Sequence, residues 1–270
     1  MEFVKLAEEQ RRFFNDNGYL VVPNVLSSEE VEQLTQASDR MIESSNSEGS
    51  YVQLRPGIVE EPAFHPLLAC SPTVPLVVQL LSPNIHLHTT AIIYKLPQMT
   101  NDEETIRQRG WHRDIGITED LGHDNLIRAG IKVGYCLTDF HQPHSGFTMF
   151  AEGSHLEKTP LQIPAGEVDP INAVDLCLNV GDAFLFENRI FHTSAPNLSD
   201  RTSKVIIFGY SYRWMGGQKA NMLCVQPDET VLNQVDEIRQ QLLGGSSDAI
   251  GHWAREQGVA PEPIKWTMEI

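Results

Sequence analysis

The chain has 270 residues, 41% hydrophobic and 21% charged, enough for one large domain with a substantial core or for two small ones. Its 36 acidic and 20 basic residues leave a formal net charge of −16, which argues against DNA or RNA as a partner, because phosphate binding needs a basic face. No apolar run approaches the roughly 18 residues that span a bilayer, and the opening MEFVKLAEEQRRFFNDNG mixes acids and bases and does not read as a signal peptide. A soluble cytoplasmic protein with no membrane partner is the expectation.

The first third reads as helical. A short helix is expected over about residues 5 to 17, ending at Gly18. In LSSEEVEQLTQASDRMIESS, Ser27 and Glu30 stand in capping-box spacing, so a second helix should start there, with Val31, Leu34, Met41 and Ile42 as its apolar stripe. From residue 85 the texture becomes β: IHLHTTAIIYKL, GIKVGYCLTDF, GFTMFA, VDLCLN, DAFLFEN and SKVIIFGYSYRW are short, rich in β-branched and aromatic residues, and punctuated by Gly, Pro, Asn and Asp. Without βαβ alternation, this pattern predicts a mainly β fold with flanking helices, a sandwich or jelly roll rather than a parallel sheet. Cys136 and Cys177 fall in two of these runs and read as small core residues. After residue 227, DETVLNQVDEIRQQLLG places Val231, Val235, Ile238 and Leu242 on one helical face. The soft segments 44–50, 98–110 and 244–248 do not resemble linkers, so one domain over residues 1–270 is expected.

The tripeptide His112-Arg113-Asp114 invites two readings. A kinase catalytic loop would need an Asn five residues after the Asp, a Gly-rich loop and an Asp-Phe-Gly; position 119 is Glu119 and neither motif is present. On a strand, however, residues i and i+2 face the same way, so His112 and Asp114 can offer an imidazole and a carboxylate to one cation while Arg113 faces away. A third ligand must come from elsewhere, and His192, beside a β run far downstream, is the leading candidate among several histidines. Two histidines and one carboxylate leave about three open positions, which suits Fe(II) enzymes that activate oxygen. Arg201 supplies a guanidinium of the kind that holds a carboxylate in two parallel bonds.

In order and spacing, WHRD, GFTMFAEGSH, NVGDAFLFENRIFHTSAPN and Arg201 resemble the phytanoyl-CoA dioxygenase family of Fe(II)- and 2-oxoglutarate-dependent oxygenases, and FNDNGYLVVPNVLSSEEVEQL resembles its opening. The resemblance covers roughly residues 10 to 213. It implies a double-stranded β-helix (jelly-roll, cupin-like) core over about residues 85–213, with Fe(II), 2-oxoglutarate and O2 as cofactor and co-substrates. It also implies that His112, Asp114 and His192 are the metal ligands and catalytic centre, that Arg201 holds the C5 carboxylate of 2-oxoglutarate, and that Thr148 donates a hydroxyl to the same group. Arg109 falls where relatives place a polar co-substrate contact such as Gln. Lys95 in YKLP resembles the family's Lys-Pro-Pro segment without its second Pro. Since Asp114 is present, oxygenation is expected and not halogenation. The implied function is hydroxylation of an unactivated C–H of a small metabolite in a biosynthetic pathway, with succinate and CO2 released. With an acidic chain and no basic cluster, a small neutral or cationic substrate is favoured over a CoA ester. The segments expected to choose it are the helical first third, the 98–110 loop and the stretch after Trp214.

Other histidines have ordinary readings. His86 and His88 also stand at i and i+2, but no carboxylate accompanies them, and a structural role is expected. His155 reads as a turn anchor. Two alternatives remain open at this level: a jelly-roll protein whose metal is structural, and a cupin-type enzyme independent of 2-oxoglutarate.

Overall fold

The computed structural model describes all residues except 46, 56, 99–102, 115–117, 119–120, 216–226 and 261–270. Parts of two segments expected to govern substrate choice, 99–102 and 216–226, therefore lie outside the described residues.

Helix α1 (Glu8–Asn17) stops at Gly18, whose backbone adopts a left-handed conformation (φ 85°) and donates its N–H to the Phe14 carbonyl. Strand β1 (Tyr19–Val22) follows. Helix α2 (Ser28–Ser44) starts with the expected box: Glu30 N–H donates to Ser27 Oγ, and the Glu30 carboxylate accepts from Ser27 N–H at 2.8 Å. It buries Leu34 fully, with Val31, Met41 and Ile42 packed at the edge of the core. Strand β2 (Tyr51–Leu54), helices α3 (His65–Leu68) and α4 (Val74–Leu80), and the long strand β3 (Ile85–Lys95) complete the first third.

The remaining elements are α5 (Glu103–Arg107), β4 (Gly130–Cys136), β5 (Thr148–Ala151), β6 (Ala173–Val174), β7 (Ala183–Glu187), β8 (His192–Ser194) and β9 (Ser203–Tyr212). All strand pairs are antiparallel; the large sheet runs β1-β7-β4-β9-β3-β2 and the small one β6-β5-β8. This is the jelly roll expected, with helices laid on the outer face of the large sheet.

Period-two alternation sorts the side chains. Ile131, Val133 and Tyr135 of β4 and Ile206, Phe208 and Tyr210 of β9 point outward, into a core shared with Leu34, Leu68, Val77 and Leu242 of the helices. Their neighbours Cys136, Val205 and Ile207 point inward, between the sheets, where Phe140, Phe147, Phe150, Phe184 and Phe186 fill the interior. Both faces of the central strands are thus covered, which is why their sequences are nearly continuous apolar runs.

Two expectations need correction. The helix predicted beyond residue 227 is two short ones, Glu229–Leu232 and Glu237–Leu242, because Asp236 turns its carboxylate onto the Arg239 N–H and starts a new helix. A further helix, Ala249–Glu256, follows. Cys177 is exposed and not a core residue: VDLCLN pairs at Val174, in β6, and again through an isolated bridge from Leu178 to Phe140, but not at Cys177. Among the described residues, no helix is long and apolar enough to cross a membrane.

The interior leaves no slack at Gly134, where a Cβ would lie 2.1 Å from the Phe184 ring. Overpacking of this kind costs about 1–3 kcal/mol. Gly134→Ala should therefore lower Tm by several degrees in thermal unfolding, and Gly134→Ala/Phe184→Leu should recover part of the loss.

Candidate metal centre

The site is assembled by two backbone bonds. His112 N–H donates to the His192 carbonyl and His192 N–H to the His112 carbonyl, each at 3.0 Å. This is a hydrogen-bonded antiparallel pair, and it sets the two imidazoles side by side, ring centroids 4.3 Å apart. Two residues on, Asp114 N–H donates to the Asn188 carbonyl at 3.0 Å. The Asn188 side chain is itself pinned, accepting from Ala129 and Gly130 N–H and donating to the Ile127 carbonyl. Asp114 consequently faces the same side as His112. Arg113 faces away, as strand geometry predicts: it donates to the carbonyls of Arg189, Ser154 and Glu157, and its guanidinium lies 4.1 Å from the Phe191 ring centroid.

His112, Asp114 and His192 each bring one ligand atom into a cluster whose atoms lie within 4.8 Å of one another. Each histidine has a backbone carbonyl at Nδ1, Gly110 at 2.7 Å for His112 and Ile190 at 3.1 Å for His192. A carbonyl can only accept, so Nδ1 carries the proton and Nε2 is left as the donor atom for a cation. Asp114 Oδ2 is buried with no hydrogen-bond partner, while Oδ1 lies 2.6 Å from Lys132 Nζ. An orphaned carboxylate oxygen facing two lone-pair nitrogens is what a divalent metal would satisfy.

Burial opposes the Asp114 charge, but Lys132 and the two imidazoles overrule it and hold the carboxyl well below the usual carboxylate range. Burial also pushes His192 down to about 4, against the pull of Asp114. At neutral pH the His192 imidazole is therefore neutral and the Asp114 carboxylate ionised, the protonation states metal binding requires of them.

A cavity of about 340 Å³ opens from His112 and is lined by Tyr51, Lys95, Arg109, Thr193 and Ser194. Lys95 is nearly buried and donates to Ser194 Oγ at 3.0 Å and to the Ala195 carbonyl. No carboxylate among the described residues pairs with it, and burial, with Arg109 nearby, lowers its ammonium to about 8. Thr148 pairs with Ser194 across β5 and β8, so the two side chains leave the sheet on the same face.

Arg201 is not brought to the cluster. It is half-exposed, and its guanidinium pairs with Asp139 at the surface, the Nη1–Oδ2 bond being 2.7 Å. It lies in the bend before β9, outside the ladder, and Asp139 holds its side chain at the surface. Arg109 lines the cavity, but its guanidinium is committed to Asp169 by two bonds (2.8 and 3.0 Å) and to the carbonyls of Ile106 and Gln108. With Trp111 Nε1 donating to the Val168 carbonyl, it clasps the loop before His112 onto the 168–169 segment. Lys132 and Asn188 went unread in sequence. The signal for Lys132 was there, a lysine at an inward position of an otherwise apolar strand; nothing marked Asn188, whose partners are distant backbone groups.

The fold and its three converging donors define a jelly-roll protein with a two-histidine, one-carboxylate centre that leaves an open face. A family model described as phytanoyl-CoA dioxygenase (PhyH) matches residues 14–205, more than half of the chain, and the chain belongs to that family. The curated protein Dioxygenase peniF of Penicillium patulum is 28% identical over 173 residues, which is 57% of this chain and 53% of that protein, so the match spans about half of the relative's length. Among solved structures, HygX from Streptomyces hygroscopicus, with nickel and 2-oxoglutarate bound, superposes with a TM-score of 0.59 at 18% identity over 76% of this chain and 87% of that one. SnoK, a non-heme alpha-ketoglutarate-dependent carbocyclase from nogalamycin biosynthesis, gives 0.58 at 19% identity over 76% of this chain and 84% of that one. At these identities the likeness to the solved structures is one of fold.

Removing any ligand should weaken metal binding more than the roughly 10- to 100-fold typical of outer-shell changes. Titration of the metal-free protein with Ni(II), followed by calorimetry, should show this for His112→Ala, Asp114→Ala and His192→Ala alike. Wild-type affinity in any of the three would remove that residue from the centre.

Proposed function

We propose that this chain is an Fe(II)- and 2-oxoglutarate-dependent dioxygenase, working as a single domain, that hydroxylates an unactivated C–H of a small metabolite in a biosynthetic pathway and releases succinate and CO2. The observation that carries the reading is the convergence of two Nε2 lone pairs and the unpartnered Asp114 Oδ2 at the mouth of a cavity large enough for small organic molecules. Membership of the PhyH family supports it, as does the fold shared with a protein solved with 2-oxoglutarate bound.

His112, Asp114 and His192 would hold the iron, which, with O2 and 2-oxoglutarate, supplies the oxidising chemistry. The protein's own part is to bind and orient. Lys95 replaces Arg201 as the cation for the far carboxylate of the co-substrate. Its ammonium sits at Ser194, two residues along β8 from His192, a separation of about 6.6 Å that suits a five-carbon diacid. Thr148, on the same face as Ser194, would add a hydroxyl. The aromatic packing of Phe150 and Phe186 against His192, at 6.4 and 4.9 Å between ring centroids, walls that side of the centre from water.

Anaerobic addition of Fe(II) and 2-oxoglutarate should produce a weak visible charge-transfer band that is lost in Asp114→Ala; a protein that binds metal without the band is a structural metal binder instead. Lys95→Met should raise KM for 2-oxoglutarate at least about 30-fold, the cost of leaving a buried carboxylate unpaired, whereas Arg201→Ala should leave it within about twofold. The reverse pattern would restore Arg201 to the site, and turnover without 2-oxoglutarate would point to a cupin-type enzyme. Because the Lys95 ammonium is lowered to about 8, its charge is lost as pH rises through that value. The kcat/KM for 2-oxoglutarate, which reports the free enzyme, should therefore fall above pH 8, and Lys95→Arg should abolish the fall.

A further inference from the structure

The inner face of the large sheet opposite the triad carries an arrangement that neither metal nor co-substrate accounts for. Lys132 on β4, Gly209 on β9 and Thr89 on β3 are cross-strand partners and form one row on that face. At one end of the row Lys132 meets Asp114. At the other, Arg55 donates from Nη1 to Thr89 Oγ1 at 2.7 Å, and its carbonyl accepts from Thr90 Oγ1. Arg55 is largely withdrawn from water, feels the charge of Asp114 only at a distance, and forms no ion pair with any described residue.

Between these ends stands His88. The pairing of β3 with β9 slips between Leu87 and Thr89, and the residue left over at this bulge is His88. Bulges of this kind re-aim a side chain, and here the ring comes to lie over Gly209, where a Cβ would be 2.9 Å from its Cε1. Both ring nitrogens are buried and without a hydrogen-bond partner. A structural histidine satisfies at least one nitrogen, as His86 does with Ser211 Oγ at 3.2 Å.

The charges point the same way. Asp169 offsets Arg109, Asp114 offsets Lys132, and the far carboxylate of the co-substrate would offset Lys95. Arg55 is left as a desolvated cation with no ion pair among the described residues, a costly state unless a ligand supplies one.

We propose that Arg55, with His88 beside it, is the substrate-anchoring pair of this centre and that the substrate is a small carboxylic acid. The inference rests on the oxygenase reading above and names its substrate class. The carboxylate would take the free edge of the Arg55 guanidinium, and an oxygen or nitrogen of the substrate would bond to His88. Thr89 and Lys132 are two strand spacings apart, about 10 Å, so the oxidised C–H lies only a few bonds from the carboxylate. A local anion site thus overrides the acidic balance of the chain, which by itself favours a neutral or cationic substrate.

The test uses the full chain loaded with Ni(II) and 2-oxoglutarate, which binds without turning over, and a panel of small carboxylic acids each paired with its methyl ester. Thermal unfolding should show acids raising Tm where their esters do not. In Arg55→Gln that preference should vanish, with apparent affinity for the best acid down at least about 30-fold, and Arg55→Lys should recover part of it. With Fe(II), the same acid should show its loss in KM for the acid and not for 2-oxoglutarate. A panel in which no acid outperforms its ester, an Arg55→Gln protein that keeps the preference, or a rise in KM for 2-oxoglutarate instead would each overturn the proposal. The wild-type charge-transfer band separates the two levels: its absence defeats the oxygenase reading, whereas a band without acid preference defeats only this one.

Discussion

The reciprocal backbone bonds between His112 and His192 are the constraint on which the centre depends. They join a loop with no regular structure to the small sheet and make one residue of each a cross-strand neighbour of the other. Every later feature of the site follows from that registration. With the backbones locked, each Nδ1 meets a carbonyl, and both Nε2 atoms turn to the same point. Asp114, two residues along, joins them because a strand-like backbone repeats its side-chain direction every second residue. The loop needs such pinning at several places, and Arg109 with Asp169, Arg113 with three carbonyls, and Thr193 accepting from Gly110 N–H provide it.

The electrostatics of the interior run against those of the whole chain. A molecule with net charge −16 sets Lys95 in the wall of its cavity and Lys132 and Arg55 along one row of the large sheet, at Asp114 and Thr89. Global charge governs solubility and long-range steering, while a site a few ångströms across is governed by the two or three groups that face it. Composition could not have revealed this, because the three cations come from β3, β4 and the residue after β2 and carry no common motif.

Much of the fold was legible for a simple reason: local chemistry and tertiary packing agree. The Ser27–Glu30 box starts α2 where it should, Gly18 ends α1, and the apolar runs from residue 85 onward are strands. Where they disagree, reading failed. Val231, Val235, Ile238 and Leu242 share a helical face on paper, yet Asp236 caps a second helix between them. Cys177 sits in an apolar run that pairs at Val174 and Leu178 but not between them, and it stays exposed.

The sequence by itself picked out the three residues of the candidate metal centre, and the structure brings them together. The spacing of His112 and Asp114 is a property of a strand, and neither residue type is common in a β interior without a task. The order of the motifs placed His192 with them, and the family resemblance is borne out by the match over residues 14–205. Tertiary structure alone decided which cations face the cavity. Arg201 and Lys95 are equally plausible as letters, but one lies in a surface bend beside Asp139 and the other points between the sheets. For Arg201 that choice depends on a partner 62 residues away in sequence. The position of Arg55 rests in the same way on Thr89, and that of His88 on a single bulge over Gly209. A local pattern can say which residues are able to do chemistry; only the packing of distant strands says which way they point.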